Sequence, residues 1–369
     1  MIRDFVRRSA LLAPVGALVG AGALAGWQVP AAVGGQPRGE RLERMRRSPQ
    51  FRDGAFHNAV EAAVAAPSGS ALRDLVFGKE VRRPTRPVPL VGAPDFSAVH
   101  DGLRVSWLGH ATVLVEVERK RFLFDPVWSD RVSPSTMVGP KRLHPVPWSV
   151  DDLPELDAVV ISHDHYDHLD MMTVRRLFAR QPSLTFVVPL GVGAHLERWR
   201  VPTANIVELD WDERTTVDHV EVVATAARHF SGRLRPGGNG TLWASWVIAG
   251  RDRKVFYTGD SGHFSGYERI GAEHGPFDVT LIQVGAYSPY WPDIHMTPEE
   301  GVATHRAVRG ELLVPVHWGT FNLAMHSWSE PVERLLKAGD DIRIAVPKPG
   351  QALDVDDLRE PEGWWREVA

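Results

Sequence analysis

Residues 163–168 read His-Asp-His-Tyr-Asp-His, an H-x-H-x-D-H pattern. In an extended loop alternate side chains point the same way. His163 and His165 then share one side, while Asp167 and His168 face a neighbouring point. Nitrogen and oxygen donors in this arrangement suit two metal ions side by side. Three further candidates each follow an apolar run: His229 in AARHF, Asp260 in YTGDSG and His317 in VPVHWGT. Singly each is an ordinary residue. Placed together at the ends of strands, behind the first cluster, they read as the remaining metal ligands. Asp125, in FDP, and His110, in LGHAT, also lie at strand ends, where a carboxylate or imidazole can orient a ligand from behind. The chain has no cysteine, which excludes disulfides, thiolate zinc sites, iron–sulfur clusters and thiol nucleophiles.

These residues need a scaffold that converges on one edge. From about residue 103, LRVSWLGHATVLVEVERKRFLFDP alternates apolar and polar positions and predicts two or three antiparallel strands with a turn near Glu118–Lys120. A buried strand at 158–161 feeds the His-rich loop. MTVRRLFARQ has helical spacing, LTFVVPL is a strand, and a helical stretch follows near Val192–Trp199. The second half repeats the style, with strands in VEVVATAARHF, TLWASWVIAG, KVFYTGDSGH, FDVTLIQVGAY and ELLVPVHWGTF. Thr297, Pro298 and Glu300 spell a helix start for 297–306: cap, first helical position and box position. Two series of strands with helices between them predict two packed sheets covered by helices.

At 369 residues with 43% hydrophobic content, the chain can bury a large core. A net charge of −4 supplies no basic field, so no nucleic-acid partner is expected. Residues 1–30 combine a positive start containing Arg7-Arg8, a run of small and aliphatic residues, and Ala23-Leu24-Ala25 as a cleavage site. This predicts an export signal or a membrane anchor, and an exported or membrane-tethered protein of the cell envelope. Residues 31–90 read as a linker and N-terminal extension, with a short charged helix in GERLERMRRSP whose arginines form a solvated face. Residues 91–369 are expected to form the single domain that carries the candidate ligands.

H-x-H-x-D-H followed by a distant His, a Gly-Asp and a final His resembles the signature of the metallo-β-lactamase superfamily. The phrases WLGHATVLVE, DPVWSDRVSPSTMVGPKR, ISHDHYDHLD, VPLG, IVELDW, LWASW, GPFDV, GAYSPYW and VHWGTF are similar to the N-acyl-phosphatidylethanolamine-hydrolysing phospholipase D family and its bacterial relatives, from about Val105 to Gly350. The resemblance implies an α/β fold, the αβ/βα four-layer sandwich, with two zinc ions; manganese or iron would suit the same donors. It implies that His163, His165 and His229 hold the first metal, that Asp167, His168 and His317 hold the second, and that Asp260 bridges them. A hydroxide between the metals would be the nucleophile, in keeping with the lack of Cys and of a G-x-S-x-G elbow. His295, in DIHMTPEE, matches a family position near the substrate phosphate, where it would orient or protonate that group. Catalysis would thus rest on Asp260 and His295.

The implied substrate is a phospholipid phosphodiester at a membrane surface, cleaved to phosphatidic acid, and a homodimer is compatible with the family. A lactonase or soluble phosphodiesterase of the same superfamily is the alternative. A metal-binding scaffold without turnover is disfavoured, because every expected ligand is present. Two features depart from the family pattern. His263 stands where the animal enzymes tend to carry an aromatic, and SGRLRPGGNG is short, basic and Gly-rich. Trp128, Trp148, Tyr290 and Trp291 fall in loops, where they either line a lipid route or pack. His195, His219, His274, His305 and His326 read as ordinary.

Overall fold

The structure, a computed structural model, describes residues 29–62, 79–233, 237–358 and 363–369. The N-terminal signal or anchor expected at 1–30 lies almost wholly outside the described residues. Among the described residues no helix is long and apolar enough to cross a membrane.

A small hairpin, β1 (Phe51–Arg52) and β2 (Ala55–Phe56), precedes two seven-stranded sheets. The first contains β3 (Leu103–Gly109), β4 (Thr112–Val117), β5 (Lys120–Phe124), β6 (Ala158–Val160), β7 (Thr185–Pro189) and β8 (Ile206–Leu209). The second contains β9 (Arg214–Val217), β10 (Val220–Thr225), β11 (Ser245–Ala249), β12 (Lys254–Tyr257), β13 (Phe277–Gln283), β14 (Gly310–Val316) and β15 (Arg343–Ile344). The last strand, β16 (Ala352–Asp354), returns to the first sheet beside β3, so that its order is β16-β3-β4-β5-β6-β7-β8. The second sheet runs β15-β14-β13-β12-β11-β10-β9.

Strand alternation builds the layers. Val113, Val115, Phe122, Phe124, Val160 and Val187 join the core shared with Val222, Val247, Val279 and Leu281 of the opposite sheet. Their neighbours Leu114, Leu123, Val159, Phe186 and Val188 face the other way, onto Val174 and Leu177 of the helix Met171–Arg180 and Leu196 of the helix Gly193–Arg198. Successive side chains on opposite faces, both apolar, are what a sheet covered on both sides requires. The helices Gly266–His274, Pro298–Ala307 and Glu330–Ala338 cover the second sheet through Tyr267, Val302 and Leu335. The chain therefore adopts the expected four-layer α/β sandwich.

Local signals act as their chemistry dictates. Thr297 accepts the Glu300 N–H while the Glu300 carboxylate returns to the Thr297 N–H, a complete capping box with Pro298 beside it. The β4–β5 turn uses Glu118 (φ 45°) and Arg119 (φ 72°) in the left-handed region. The Glu118 carboxylate accepts the backbone N–H groups of Arg251, Asp252 and Arg253, tying this turn to the second sheet. The arginines of the Gly39–Arg47 helix are not all a solvated face. Arg41 ion-pairs with Glu197 and Glu208, both at 2.6 Å, because the helix lies against the first sheet's outer layer.

Two buried imidazoles, each with an arginine close enough to disfavour its charged form, make the fold acid-sensitive. His144, between the Pro145 carbonyl and Thr320 Oγ1, and His305, beside Thr280 Oγ1, are both buried. Burial is the main reason each is pushed down from 6.5 to about 4. The unfolded chain then binds protons that the folded chain refuses, between about pH 6.5 and 4. Stability from these groups is complete above that window and falls as pH drops through it, by about 1.4 kcal/mol per group for each pH unit. The melting temperature is expected to fall from pH 6.5 to 4, and His305→Gln to flatten the slope. An unchanged slope in that variant would remove His305 from this account.

Candidate metal centre

The His-rich loop leaves β6 at Val160 and is buried apart from the partly open rim formed by His165, Tyr166 and Asp167. One group of ring nitrogens gathers there. His163 Nε2 lies 2.8 Å from His165 Nδ1, and His229 Nε2 lies 3.3 Å from the same atom. A second group stands beside it. Asp167 Oδ2 is 3.5 Å from His168 Nε2 and 3.3 Å from His317 Nε2. Asp260 Oδ2 sits between them, 3.1 Å from His168 Nε2, 3.2 Å from His317 Nε2, 3.8 Å from His229 Nε2 and 3.9 Å from His163 Nε2. Both groups have the composition and spacing to hold a metal ion.

The residues behind these groups set which nitrogen is free. Asp125 ends β5 with φ 38°. It accepts His168 Nδ1–H at 2.7 Å, the Ser162 N–H at 2.7 Å and the Ser162 hydroxyl at 2.6 Å, with the Tyr257 hydroxyl alongside. With its own proton committed to Asp125, the Ser162 oxygen accepts His163 Nδ1–H at 2.9 Å. Asp125 therefore turns the Nε2 atoms of both His163 and His168 toward Asp260, one imidazole in each group. His229 gives its Nδ1–H to the Ile294 carbonyl at 2.9 Å, which frees its Nε2 in the same way. Carboxylate or carbonyl behind imidazole is the usual support for a metal-binding histidine.

Several observations fit cations here. Lone pairs of His163 and His229 converge on His165 Nδ1, an approach that a shared cation satisfies. Buried His168 Nε2 and Asp260 Oδ1 have no hydrogen-bond partner. Burial alone would lower the His168 and His317 pKa values, but Asp260 and Asp167 more than offset it and hold both above the ordinary range. Burial and neighbouring rings instead push His163 and His229 well below it. The negative field is thus focused between Asp167 and Asp260, where positive charge is most stabilised.

His110 sits at the β3–β4 turn with φ 55°, its Nε2 2.9 Å from Asp167 Oδ2. Burial is the main cause that pushes it down to about 3, so it stays neutral and donates to Asp167. His295 lies at the rim, its Nδ1 3.9 Å from Asp260 Oδ2 and without a hydrogen-bond partner. All the sequence-derived candidates thus meet in one place. His229 requires one correction, because it lies not at a strand end but in a loop beyond β10, which stops at Thr225. His263 bonds Thr304 Oγ1 at 2.8 Å on the neighbouring helix and stands apart from the ligand groups. Trp148 is buried in the core, and Trp128 and Trp291 bond the carbonyls of Trp148 and Ala286.

Sequence reasoning missed other supports. Arg233, from the basic Gly-rich loop, is buried; it donates to the carbonyls of Ala32, Asp164 and Leu169 and stacks on Tyr166 at 4.0 Å. His195, read as ordinary, bonds Asp164 Oδ2 at 3.2 Å beneath the same loop. Gln283 receives the Met296 N–H at 3.1 Å and donates to the Gly285 carbonyl, closing the neck of the loop that carries His295. Gly259 has φ 56°, and a Cβ there would approach Ser162 Cβ to 2.6 Å. Only glycine lets Asp260 come so close to the His-rich loop.

Comparison with known proteins agrees with this geometry. The family described as Beta-lactamase superfamily domain matches residues 120–318. The chain is 49% identical over 346 residues to an uncharacterized protein of Mycobacterium tuberculosis, covering 91% of this chain and 92% of that one. It is 35% identical over 284 residues to N-acyl-phosphatidylethanolamine-hydrolyzing phospholipase D 1 of Caenorhabditis elegans, covering 73% and 80% respectively. Among solved structures, an isothiocyanate hydrolase from Delia radicum gut bacteria gives a TM-score of 0.54 at 20% identity, over 68% of this chain and 98% of that one. A metallo hydrolase from Ignicoccus hospitalis gives 0.52 at 20% identity, over 68% and 97%. At that identity the two structures speak to the fold alone. Fold and sequence agree that this chain belongs to the metallo-β-lactamase superfamily of metal-dependent hydrolases and is a homologue of the N-acyl-phosphatidylethanolamine-hydrolysing phospholipases D.

Proposed function

We propose that the chain is a dinuclear zinc phosphodiesterase of phospholipase D type. It hydrolyses N-acyl-phosphatidylethanolamine or a related phospholipid to phosphatidic acid and the amide-bearing alcohol. The observation that carries this reading is Asp260 Oδ2, set between the His163/His165/His229 and Asp167/His168/His317 groups at 3.1–3.9 Å. Two divalent cations held by these groups would lower the pKa of a shared water and clamp the attacking and leaving oxygens of a phosphodiester.

The chain's own residues do the rest. Asp260 joins the two groups, and Asp125 and His110 hold His163, His168 and Asp167 in register. His295 orients the phosphate. Burial is the main cause that pushes it down to about 4, with Asp260 opposing, so at neutral pH it acts as a neutral hydrogen-bond donor rather than a cationic acid. His295→Ala is expected to lower turnover about 10²-fold with metal content unchanged. Loss of metal in that variant would make His295 a ligand instead.

A cavity of about 230 Å³ beside Tyr166 has a mixed lining, with Pro134, Met171 and Met172 next to Arg131, Asp170 and Arg233, which suits a substrate that has both apolar and charged parts. Met137 and Val138 stand 61% and 65% exposed on the adjoining loop. Residues 1–30 are assigned as the export signal or anchor that brings the enzyme to a membrane surface in the cell envelope. The test is hydrolysis of N-acyl-phosphatidylethanolamine in mixed micelles, read as phosphatidic acid. Turnover of lactones or soluble phosphodiesters with the lipid untouched would overturn the lipid reading and keep the hydrolase.

A further inference from the structure

We infer that Asn58, in the N-terminal extension that precedes the matched family region, is a positioning residue for His229 and so for one of the two metal positions. The inference rests on the reading of His229 as a ligand. His229 lies in a loop beyond β10 and has no strand partner to fix its backbone. Asn58 takes that partner's place. Its Oδ1 accepts the His229 N–H at 3.0 Å and its Nδ2 donates to the His229 carbonyl at 2.8 Å. A single amide thus satisfies both backbone groups of one residue, and only this orientation of the amide does so. Trp243 Nε1 donates to the same Oδ1 at 3.0 Å and holds the side chain in place.

With its backbone held by Asn58 and Nδ1 held by the Ile294 carbonyl, His229 has one free atom, Nε2, and one direction in which to offer it. The extension is itself anchored around this contact. Phe56 is fully buried, its N–H bonds the Asn239 carbonyl at 2.8 Å, and Asn239 Oδ1 in turn accepts the Ser231 N–H at 3.1 Å. On the other side Arg228 Nε reaches the Glu61 carbonyl at 3.0 Å, and its guanidinium pairs with Asp293 at 2.9 Å. Residues 56–61 therefore grip the His229 loop on both flanks. The Arg228–Asp293 pair also connects that grip to the loop bearing Ile294 and His295. One ligand of the metal centre thus takes its backbone support from a segment that lies outside the family match.

The test is zinc binding by the full chain in competition with a chromophoric chelator, with melting of the metal-free protein followed in parallel. Support behind a ligand is worth about 10–100-fold in metal affinity. Asn58→Ala is expected to weaken one of the two zinc equivalents by about tenfold or more and to leave the other at its wild-type affinity. In the cobalt-loaded protein, the absorption bands of one site should shift while the other's stay. Asn58→Asp, isosteric but without the donor to the His229 carbonyl, carries the same test if the alanine variant fails to fold. Two unchanged affinities, or two equivalents weakened together in step with a lower melting temperature, would overturn the inference. Wild-type protein that binds no zinc would instead overturn the metal reading on which it rests.

Discussion

Asp260→Asn is expected to abolish measurable turnover and to leave fewer than two metal equivalents on the chain. The aspartate is 3% exposed, and one of its oxygens lies within 3.9 Å of imidazoles from both ligand groups. Burial alone would raise its pKa. The surrounding imidazoles of His168, His317 and His295 reverse that and hold it well below the carboxylate range, so it stays charged. An amide keeps the shape but removes the charge, and its N–H₂ can donate to a ring nitrogen yet cannot ligate a cation. Transition-state stabilisation by metals is worth several kcal/mol, and at about 1.4 kcal/mol per tenfold its loss corresponds to at least about 10³-fold in rate. Metal analysis and a hydrolysis assay on one sample decide the point. Two equivalents with near wild-type turnover would remove Asp260 from the bridge.

Asp125→Asn should act from behind the centre and still reach both metals. The carboxylate gathers donors from His168, from both the N–H and hydroxyl of Ser162, and from Tyr257. An amide accepts through one oxygen only and turns two N–H bonds toward groups that are themselves donors. About 1–3 kcal/mol is at stake for each buried donor left unpaired, so the metal-free protein should melt at a lower temperature. The Ser162 hydroxyl loses its acceptor, His163 and His168 lose their fixed tautomers, and affinity is expected to fall about 10–100-fold at both positions. Chelator competition reads this directly. A loss confined to the His168 group would show that the route through Ser162 to His163 carries nothing.

The parts of the molecule legible in its sequence were those determined by neighbours in the chain. H-x-H-x-D-H packs its donors into six consecutive residues, and Thr297-Pro298-Glu300 needs only its own turn to cap a helix. The apolar runs of β4, β6, β7 and β13 announced themselves because both faces are buried. The edge strands β15 and β16 span two and three residues, none of them buried, and carry no periodic signal. What the sequence hid was contact across long separations. Asn58 meets His229 across 171 positions, and Arg233 reaches the Ala32 carbonyl across 201. Neither asparagine nor arginine carries a local mark that says which backbone it will serve. His229 looked like a strand end because AARHF extends an apolar run, yet the chain leaves the sheet after Thr225 and takes its backbone partner from the extension.

The central claim is that two metal ions share Asp260, and counting metal on the purified full chain tests it most directly. Elemental analysis after zinc loading and exhaustive dialysis should return two equivalents per chain. Wild-type protein that is folded, yet holds close to no metal and recovers none on added zinc, would contradict the account.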